Sequence, residues 1–256
     1  MHHHQLLFSI ITCSLDSGKY IDVLIRSVED QIYTNYEHIF IDGFSKDNTL
    51  QKIKKYQKRH FKSVKLFQTP AKGIGNAMNV GIEKSSGKYI IHLHSDDCFN
   101  NRFVLKNIAN IINQNKNIDL VYGKAEFIDE HSCRYKIIPH RNIYHKLHYL
   151  LLLLTNYIPH QAVFIEKSVF NKYGLFREDL KNSMDYELWL RLSRKKIMTI
   201  FTDNIICNFI VRNTSQSETG NALGENIKII NDMKINYFTK KIVLFIHRLN
   251  STRKLF

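Results

Sequence analysis

The chain has 256 residues, 44% hydrophobic and 12% aromatic, which is enough to bury the core of one large domain and too apolar for a disordered protein. A formal net charge of +14 indicates anionic partners, such as nucleic acid, lipid headgroups or charged small molecules. The four cysteines form no C-x-x-C pair, which argues against a zinc knuckle. Because no signal peptide is recognisable, they are expected to be reduced thiols in the cytoplasm. The longest apolar segment, HYLLLLLTNYI, is shorter than the roughly 20 residues a bilayer requires, so we expect no integral membrane protein.

Strand and helix patterns alternate in the first half of the chain. Strand-like apolar runs occur at LLFSIITCS, YEHIFIDG, SVKLFQT and KYIIHLHS. Between them lie three segments with helical spacing of apolar residues: SGKYIDVLIRSVEDQIY, residues 49–60 and GNAMNVGIEKSS. In the first of these, Ser17 is predicted to be the N-cap and Ile32 to lie on the buried face. This alternation over short connections predicts a parallel sheet flanked by helices.

The second half is less regular but is expected to complete the same domain. NRFVLKNIANIINQN predicts a helix, IDLVYGKAEFID a pair of strands, and AVFIEKSVFNKYG a short strand with a helix. MDYELWLRLSRK predicts an amphipathic helix with Leu188, Trp189 and Leu192 facing inward. IMTIFTD and ICNFIVR are read as two further strands, and residues 224–238 as a helix.

Two regions concentrate the basic charge. Seven Lys and Arg residues lie between positions 52 and 65 without an acid among them, which a solvated helix face explains most simply. The C-terminal KKIVLFIHRLNSTRKLF is both basic and apolar, which suits either packing on the domain or attachment to an anionic membrane surface. We therefore interpret residues 1–215 as an α/β domain and residues 216–256 as a helical, basic C-terminal extension.

Polar residues end several strands of the predicted sheet. Thr12, Asp42 and the pair Asp96-Asp97 each follow an apolar run. Since ligands bind beyond the carboxyl ends of parallel strands, we expect these residues on one rim. The aspartate pair could hold Mg2+ or Mn2+, which prefer oxygen ligands, or Asp97 could instead cap the helix that follows. Asp42 could accept hydrogen bonds from a nucleotide or could simply order a tight loop with Gly43.

Four segments in this order resemble a known family. They are FSIITCS, IFIDGFSKDNT, GIGNAMNVGIEKSSGKYIIHLHSDD and IPHQAVFIEKSVFNKYGLFREDLKNSMDYELWLRL. The ordered set is similar to the family 2 glycosyltransferases of bacterial surface-polysaccharide synthesis, and the similarity extends from about Phe8 to Arg212. The resemblance implies the GT-A fold, a Rossmann-like and mostly parallel central sheet flanked by helices. It also implies inverting sugar transfer from a nucleotide-diphosphate donor, with Mg2+ or Mn2+ as cofactor.

The resemblance assigns roles on the rim. Thr12 and Ser14 would lie at the edge of the nucleotide pocket, and Asp42 would contact the base. Asp96 would face the ribose or the diphosphate, while Asp97 would bind the metal.

A second set of matched positions concerns the sugar, the acceptor and the base. Asp185 matches the position of the catalytic base, although an acid in the first turn of a helix is also favoured by the helix dipole alone. The residues expected near the sugar or the acceptor are His160, Gln161, Lys72 and Asn76. His160 could equally be a packed histidine. Ala71, Asn76 and His94 replace residues that are frequently acidic or amidic in the family, which leaves the donor-sugar contacts undefined.

The implied function is transfer of one sugar, from a UDP-sugar by family frequency, to a lipid-linked saccharide acceptor. The chain lacks the Q-x-x-R-W signature of processive synthases, so no polymer is expected. We expect a cytoplasmic protein bound peripherally at the inner face of the cell membrane, near anionic lipid. The alternatives are a non-catalytic domain that holds a nucleotide sugar, and a nucleic-acid-binding protein. No helix-turn-helix, zinc or RNA-binding signature favours the latter, so we expect no nucleic-acid partner.

Overall fold

The computed structural model describes residues 7–129, 134–139, 149–211 and 222–253. Within these ranges nine strands form one sheet in the order β3-β2-β1-β4-β8-β6-β9-β5, with β7 paired to β6. The strands are β1 Phe8–Ser14, β2 Tyr36–Asp42, β3 Val64–Gln68, β4 Tyr89–His92, β5 Cys98–Phe99, β6 Leu120–Ile128, β7 Arg134–Ile138, β8 Val163–Glu166 and β9 Thr199–Ile210.

Helices pack on the two faces of this sheet, and a short 3-10 turn enters β8. The helices are α1 Ile21–Glu29, α2 Thr49–Arg59, α3 Ile74–Lys84, α4 Val104–Gln114, α5 Tyr149–Leu154, α6 Lys167–Tyr173, α7 Met184–Ser193, α8 Ala222–Asp232 and α9 Tyr237–Arg253, and the 3-10 turn is His160–Ala162. No helix in the described ranges is long and apolar enough to cross a membrane.

The first four strands of the sheet run parallel, as the alternating pattern predicts. β1 pairs in parallel with both β2 and β4, and β2 with β3, so Ser14 and Asp42 lie side by side at the same edge. Beyond β4 the direction reverses, because β8 is antiparallel to β4 and to β6, while β6 and β9 are parallel. The start of β8 therefore lies near the carboxyl end of β4. The predicted α/β class, with a mostly parallel central sheet flanked by helices, is confirmed.

Successive side chains of β1 point to opposite faces of the sheet, so the core has two parts. Ile10 of β1 packs with residues of α1, α2 and α4, whereas Ile11 points to the opposite face. That second face holds α3 and the helices of the C-terminal half, including the predicted inward residues of α7, which are fully buried. Val243 of α9 belongs to the same cluster, so the C-terminal helix contributes to this core. The predicted domain boundary at 215/216 lies outside the described residues.

Two expectations for α1 are wrong. The helix is preceded by Tyr20 as its N-cap, and Ser17 contributes its carbonyl oxygen, which accepts the N–H groups of Tyr20 and Ile21. The Ser17 hydroxyl instead donates to the Leu15 carbonyl. Ile32 lies beyond the end of α1 and is exposed, because the helix ends before the chain can bring that side chain inward.

Two predicted strand breaks are absent from the structure. IDLVYGKAEFID forms the single strand β6, and IMTIFTD with ICNFIVR forms the single strand β9. The two strands pair along their length across register shifts near Gly123, where a Cβ atom would lie 2.7 Å from the Asn204 carbonyl oxygen. A bulge therefore bends both strands while their hydrogen-bonded pairing continues. In the sequence the same bulge interrupts the apolar pattern, which is why the pattern predicts two strands in each place.

One helix expected from the sequence is divided in two, and the alternative in which Asp97 caps a helix is excluded. Residues 224–238 do not form one helix, because α8 ends at Asp232 and the Asn236 side chain accepts the Thr239 N–H at 2.8 Å at the start of α9. Asp97 does not cap the helix after it. That helix starts only at Val104, after the N-cap position Phe103.

Candidate active site

The loop after β2 is ordered around one buried carboxylate. Asp42 accepts hydrogen bonds from the Ser14 hydroxyl at 3.0 Å and from both the N–H and the hydroxyl of Ser45, at 2.9 and 2.5 Å. The Gln68 amide also approaches it at 3.4 Å. Asp42 is completely buried. Its carboxylate therefore holds the rim loop in place, and the neighbouring side chains shield it from direct approach.

Thr12 lies two residues before the end of β1 and is completely buried. Its hydroxyl donates to the Leu93 carbonyl at 2.8 Å and lies 3.0 Å from Nε2 of His38. Thr12 thus links β1 to the segment that follows β4. It lies below the edge of the sheet at which Ser14 is found.

The paired aspartates follow β4 in a tight turn. The Asp97 N–H donates to the His94 carbonyl at 3.1 Å, and this turn leaves Asp96 partly exposed and Asp97 buried. Burial, and then the negative charge of Asp97, raise the pKa of the Cys98 thiol to about 11, so this cysteine stays protonated. The carboxylate of Asp97 is thus directed inward while that of Asp96 reaches the surface of the rim.

The donor set of the rim limits how a metal could be held. In the part of the chain that the structure describes, no group of three or more His, Cys, Asp or Glu side chains could hold an ion. Because Asp97 is buried and Asp96 is partly exposed, an ion held by the aspartate pair would meet a bound diphosphate and water on the side of Asp96, and would take most of its oxygen ligands from them. This arrangement fits Mg2+ and Mn2+, which commonly bind through one or two carboxylates together with phosphates.

Asp185 lies in the first turn of α7, as predicted, and its carboxylate is fixed by three neighbours. Oδ1 accepts the Tyr186 N–H at 2.7 Å, Oδ2 accepts the Asn156 amide at 3.2 Å, and Oδ2 also lies 3.4 Å from Nδ1 of His160. The Asp185 side chain remains 12% exposed. A carboxylate oriented in this way and reached by solvent can accept a proton from a bound ligand.

The loop before α7 is held by a residue that no sequence pattern indicated. The carboxylate of Glu225 on α8 accepts the backbone N–H groups of Lys181, Asn182 and Ser183, each at 2.8 Å. These three bonds fix the start of α7. Glu225 therefore determines where Asp185 stands without contacting it.

A histidine pair connects Asp185 to the aspartate loop. Nε2 of His160 lies 2.6 Å from Nε2 of His94, and the other ring nitrogen of His160 faces Asp185. Two imidazole nitrogens at this distance share one hydrogen bond, so one ring donates and the other accepts. Burial and the neighbouring His160 and His92 rings lower the pKa of His94, which favours its neutral form. The contact exists because antiparallel β8 places its entry turn beside the end of β4.

The remaining predicted sugar and acceptor residues fall into two places. Gln161 is buried in the 3-10 turn beside His160. Lys72 is exposed before α3, and the Asn76 amide donates to Glu178 at 3.0 Å. Hydrogen bonds from Asn79 and Asn76, with the positive charge of Lys72, lower the pKa of Glu178. Glu178, in the loop between α6 and α7, thus places a carboxylate beside Asn76.

Solved structures share the architecture of this chain. Staphylococcus aureus TarS 1–349 in complex with UDP-GlcNAc superimposes with a TM-score of 0.68 at 20% identity, over 93% of this chain and 70% of that one. The mannosyltransferase PcManGT from Pyrobaculum calidifontis, in complex with GDP-Man and Mn2+, gives a TM-score of 0.68 at 14% identity, over 96% and 71%. At these identities the comparison shows the GT-A fold.

The sequence itself matches a family over most of its length. Residues 9–174 match Glycosyl transferase family 2, and the chain belongs to this family. An uncharacterized glycosyltransferase of Haemophilus influenzae is 27% identical over 254 residues, covering 96% of this chain and 78% of that protein. Escherichia coli WfgD, a UDP-Glc:alpha-D-GlcNAc-diphosphoundecaprenol beta-1,3-glucosyltransferase, is 28% identical over 203 residues, covering 79% and 76%. The chain spans only 35% of a similar Rickettsia felis protein, an uncharacterized glycosyltransferase.

Proposed function

We propose that this protein transfers one hexosyl or N-acetylhexosaminyl group from a nucleotide-diphosphate sugar, with UDP as the nucleotide, to a saccharide acceptor carried on a lipid. The transfer inverts the anomeric carbon. One observation carries the proposal: the contacts from Asp185 through His160 to His94 join the lone carboxylate to the loop with the paired aspartates. The names of two similar proteins support the substrate classes, since WfgD uses UDP-Glc and a diphosphoundecaprenol acceptor, and TarS binds UDP-GlcNAc.

In this proposal the rim of the sheet holds the nucleotide. Thr12, Ser14 and Asp42 shape the pocket for the base, and Asp96, the exposed member of the pair, faces the ribose or the diphosphate. Asp97 would hold Mg2+ or Mn2+. A divalent ion bound there would stabilise the negative charge that develops on the leaving nucleoside diphosphate.

Asp185 serves as the general base. Its carboxylate takes the proton of the acceptor hydroxyl as the hydroxyl oxygen bonds to the anomeric carbon and the bond from that carbon to the phosphate oxygen breaks. One displacement inverts the configuration. Asn156 and His160 hold the carboxylate in place for this step. His160 and Gln161, with Lys72 and Asn76, contact the sugar or the acceptor.

The proposed acceptor also sets the location. A lipid-linked saccharide is presented at a membrane, so the protein works in the cytoplasm as a peripheral protein at the inner face of the cell membrane, in lipopolysaccharide or capsule synthesis. Its +14 net charge favours the anionic leaflet there.

The proposal is tested by release of nucleoside diphosphate from a panel of UDP- and GDP-sugars, with MgCl2 or MnCl2 and GlcNAc-diphosphoundecaprenol as acceptor. We expect turnover of one donor, which EDTA abolishes. Tight donor binding without turnover on any acceptor would favour the non-catalytic nucleotide-sugar-binding domain. Salt-sensitive binding to arbitrary DNA, without donor binding, would favour the nucleic-acid alternative.

A further inference from the structure

Helix α9 packs against the protein on one side and exposes a row of apolar residues on the other. Val243 and His247 are buried against the rest of the protein. On the other side Phe238, Ile242, Phe245 and Leu249 recur at intervals of four, three and four residues, which places them in one row along the helix. The exposed fractions of these four residues are 73, 45, 62 and 44%.

We call these four side chains the exposed row. Scattered single apolar residues are ordinary on a protein surface, but four large ones in a row form a continuous apolar strip of the kind that marks an interaction site. Leu150 on α5, a helix that packs against α9, is also exposed. Since the opposite side of α9 already belongs to the core, the helix does not need the exposed row to stay folded.

The charge around the exposed row identifies its partner. After Asp232 the chain contains six Lys and Arg residues and no Asp or Glu. Lys241 and Arg248 are exposed on one flank of the row, and the Lys241 ammonium lies 4.6 Å from the centre of the Tyr237 ring. A helix with an apolar strip and a basic flank suits the headgroup region of an anionic bilayer. A second copy of this chain, at +14, would bring like charges together.

α9 is attached directly to the helix that carries the proposed base. Nε2 of His247 lies 3.2 Å from the Tyr186 hydroxyl and 2.9 Å from the Leu153 carbonyl oxygen. Tyr186 follows Asp185 in the first turn of α7, and its own N–H donates to that carboxylate. Two residues, His247 and Tyr186, therefore connect α9 to Asp185.

We propose that the exposed row inserts among the lipids of an anionic membrane while the basic flank contacts their headgroups, so that the Asp185 side of the active site faces that membrane. The docking depends only on α9. The orientation toward a lipid-linked acceptor rests on the proposed function.

The test is sedimentation of the full chain with vesicles of phosphatidylcholine alone and of phosphatidylcholine with phosphatidylglycerol. We expect binding to the anionic vesicles, little binding to the neutral ones, and release at about 1 M NaCl, where screening shortens the Debye length to about 3 Å. The double variant Phe238→Ser, Phe245→Ser should weaken the partition coefficient about tenfold per site, equivalent to about 1.4 kcal/mol each. Both side chains are exposed, so its melting temperature should match that of the unchanged protein.

Phe61→Ser is the matched control. Phe61 is as exposed as Phe238 and also lies beside a lysine, Lys62, but it follows α2. Equal binding of the double variant and the unchanged protein would overturn the proposal, and so would loss of binding in the Phe61 variant or no vesicle binding at all. A dimer in analytical ultracentrifugation that the double variant dissociates would also overturn it, in favour of a second copy as the occupant.

The docking and the catalytic proposal can fail separately. Vesicle binding by the exposed row without sugar transfer would keep the docking and refute the function. Transfer to a short, water-soluble acceptor that the double variant performs as well as the unchanged protein, with transfer to the membrane-borne acceptor reduced, is the result expected if both are correct.

Discussion

Replacing Asp185 by asparagine removes the proposed base with almost no change in size. The Tyr186 N–H, which donates to Oδ1 at 2.7 Å, can donate equally well to an amide oxygen. The first turn of α7 should therefore remain intact. A positioned general base contributes about 10²- to 10⁴-fold to a rate. The expected loss in kcat is of that size, about 2.7 to 5.4 kcal/mol of transition-state stabilisation.

The neighbours of Asp185 indicate that the substitution costs little stability. The new amide nitrogen would face the Asn156 amide nitrogen, now 3.2 Å from Oδ2, and would place two donors opposite each other. Asn156 is exposed and can rotate its amide to present its oxygen instead. Because this exchange replaces one hydrogen bond by another, the free energy of unfolding should change by at most about 1 kcal/mol.

The assay combines nucleoside diphosphate release at saturating donor and acceptor with calorimetric titration of the donor. Asp185→Asn should lose turnover and keep donor affinity. Asp179→Asn is the control, since Asp179 is an exposed carboxylate that pairs with Arg177 and Lys228 and should leave kcat unchanged. A kcat within a factor of about ten of the unchanged enzyme, or a loss of donor binding, would refute the role of Asp185 as base.

Four further outcomes are expected. Asp97→Ala should reduce Mn2+-stimulated product release to background, and retained metal activation would exclude Asp97 as the ligand. His160→Asn should lower kcat, because it frees the Asp185 carboxylate on one side, and should leave the affinity for free nucleoside diphosphate unchanged, because His160 is not placed at the nucleotide; loss of both would indicate a structural role. Glu225→Gln should lower the free energy of unfolding by about 1 to 3 kcal/mol, since three N–H groups lose a charged acceptor, and an unchanged urea midpoint would contradict this. Burial lowers the pKa of His38 and of His92 to about 3. In the unfolded chain both rings bind protons near pH 6.5, so the free energy of unfolding should be highest above that pH. Below it, the free energy of unfolding should fall by up to about 1.4 kcal/mol per pH unit for each ring. Equal urea midpoints at pH 7.5 and 5.5 would contradict this last expectation.

The parallel half of the fold follows from local sequence patterns. Each of its strands is an apolar run that ends at polar residues, and parallel pairing brings those ends to one edge. For this reason Asp42 and the Asp96-Asp97 turn can be placed on one rim from the amino-acid sequence alone. The second half cannot be divided in this way, because the bulge near Gly123 bends β6 and β9 without ending them. Local pattern does not distinguish a bulge from a turn.

The side chains that hold Asp185 are the least predictable part of the site. His94 stands out in the sequence only as a departure from the family, and its contact with His160 depends on the reversal of direction between β4 and β8. Glu225 binds backbone N–H groups that lie 42 to 44 residues earlier in the chain. Every residue except proline has such a group, so the amino-acid sequence does not indicate this contact. Glu178 likewise reaches Asn76 from a distant loop. Contacts of this kind are set by tertiary packing.

The anomeric configuration of the product tests the central claim most directly. The purified protein would be incubated with the UDP-sugar selected by the donor panel, MnCl2 and GlcNAc-diphosphoundecaprenol, and the new linkage read from the anomeric proton coupling by NMR. From an α-linked donor we expect a β-linked product carrying one added sugar, formed only when both metal and Asp185 are present. An α-linked product, or the same product from Asp185→Asn at an undiminished rate, would contradict a single displacement with Asp185 as the base.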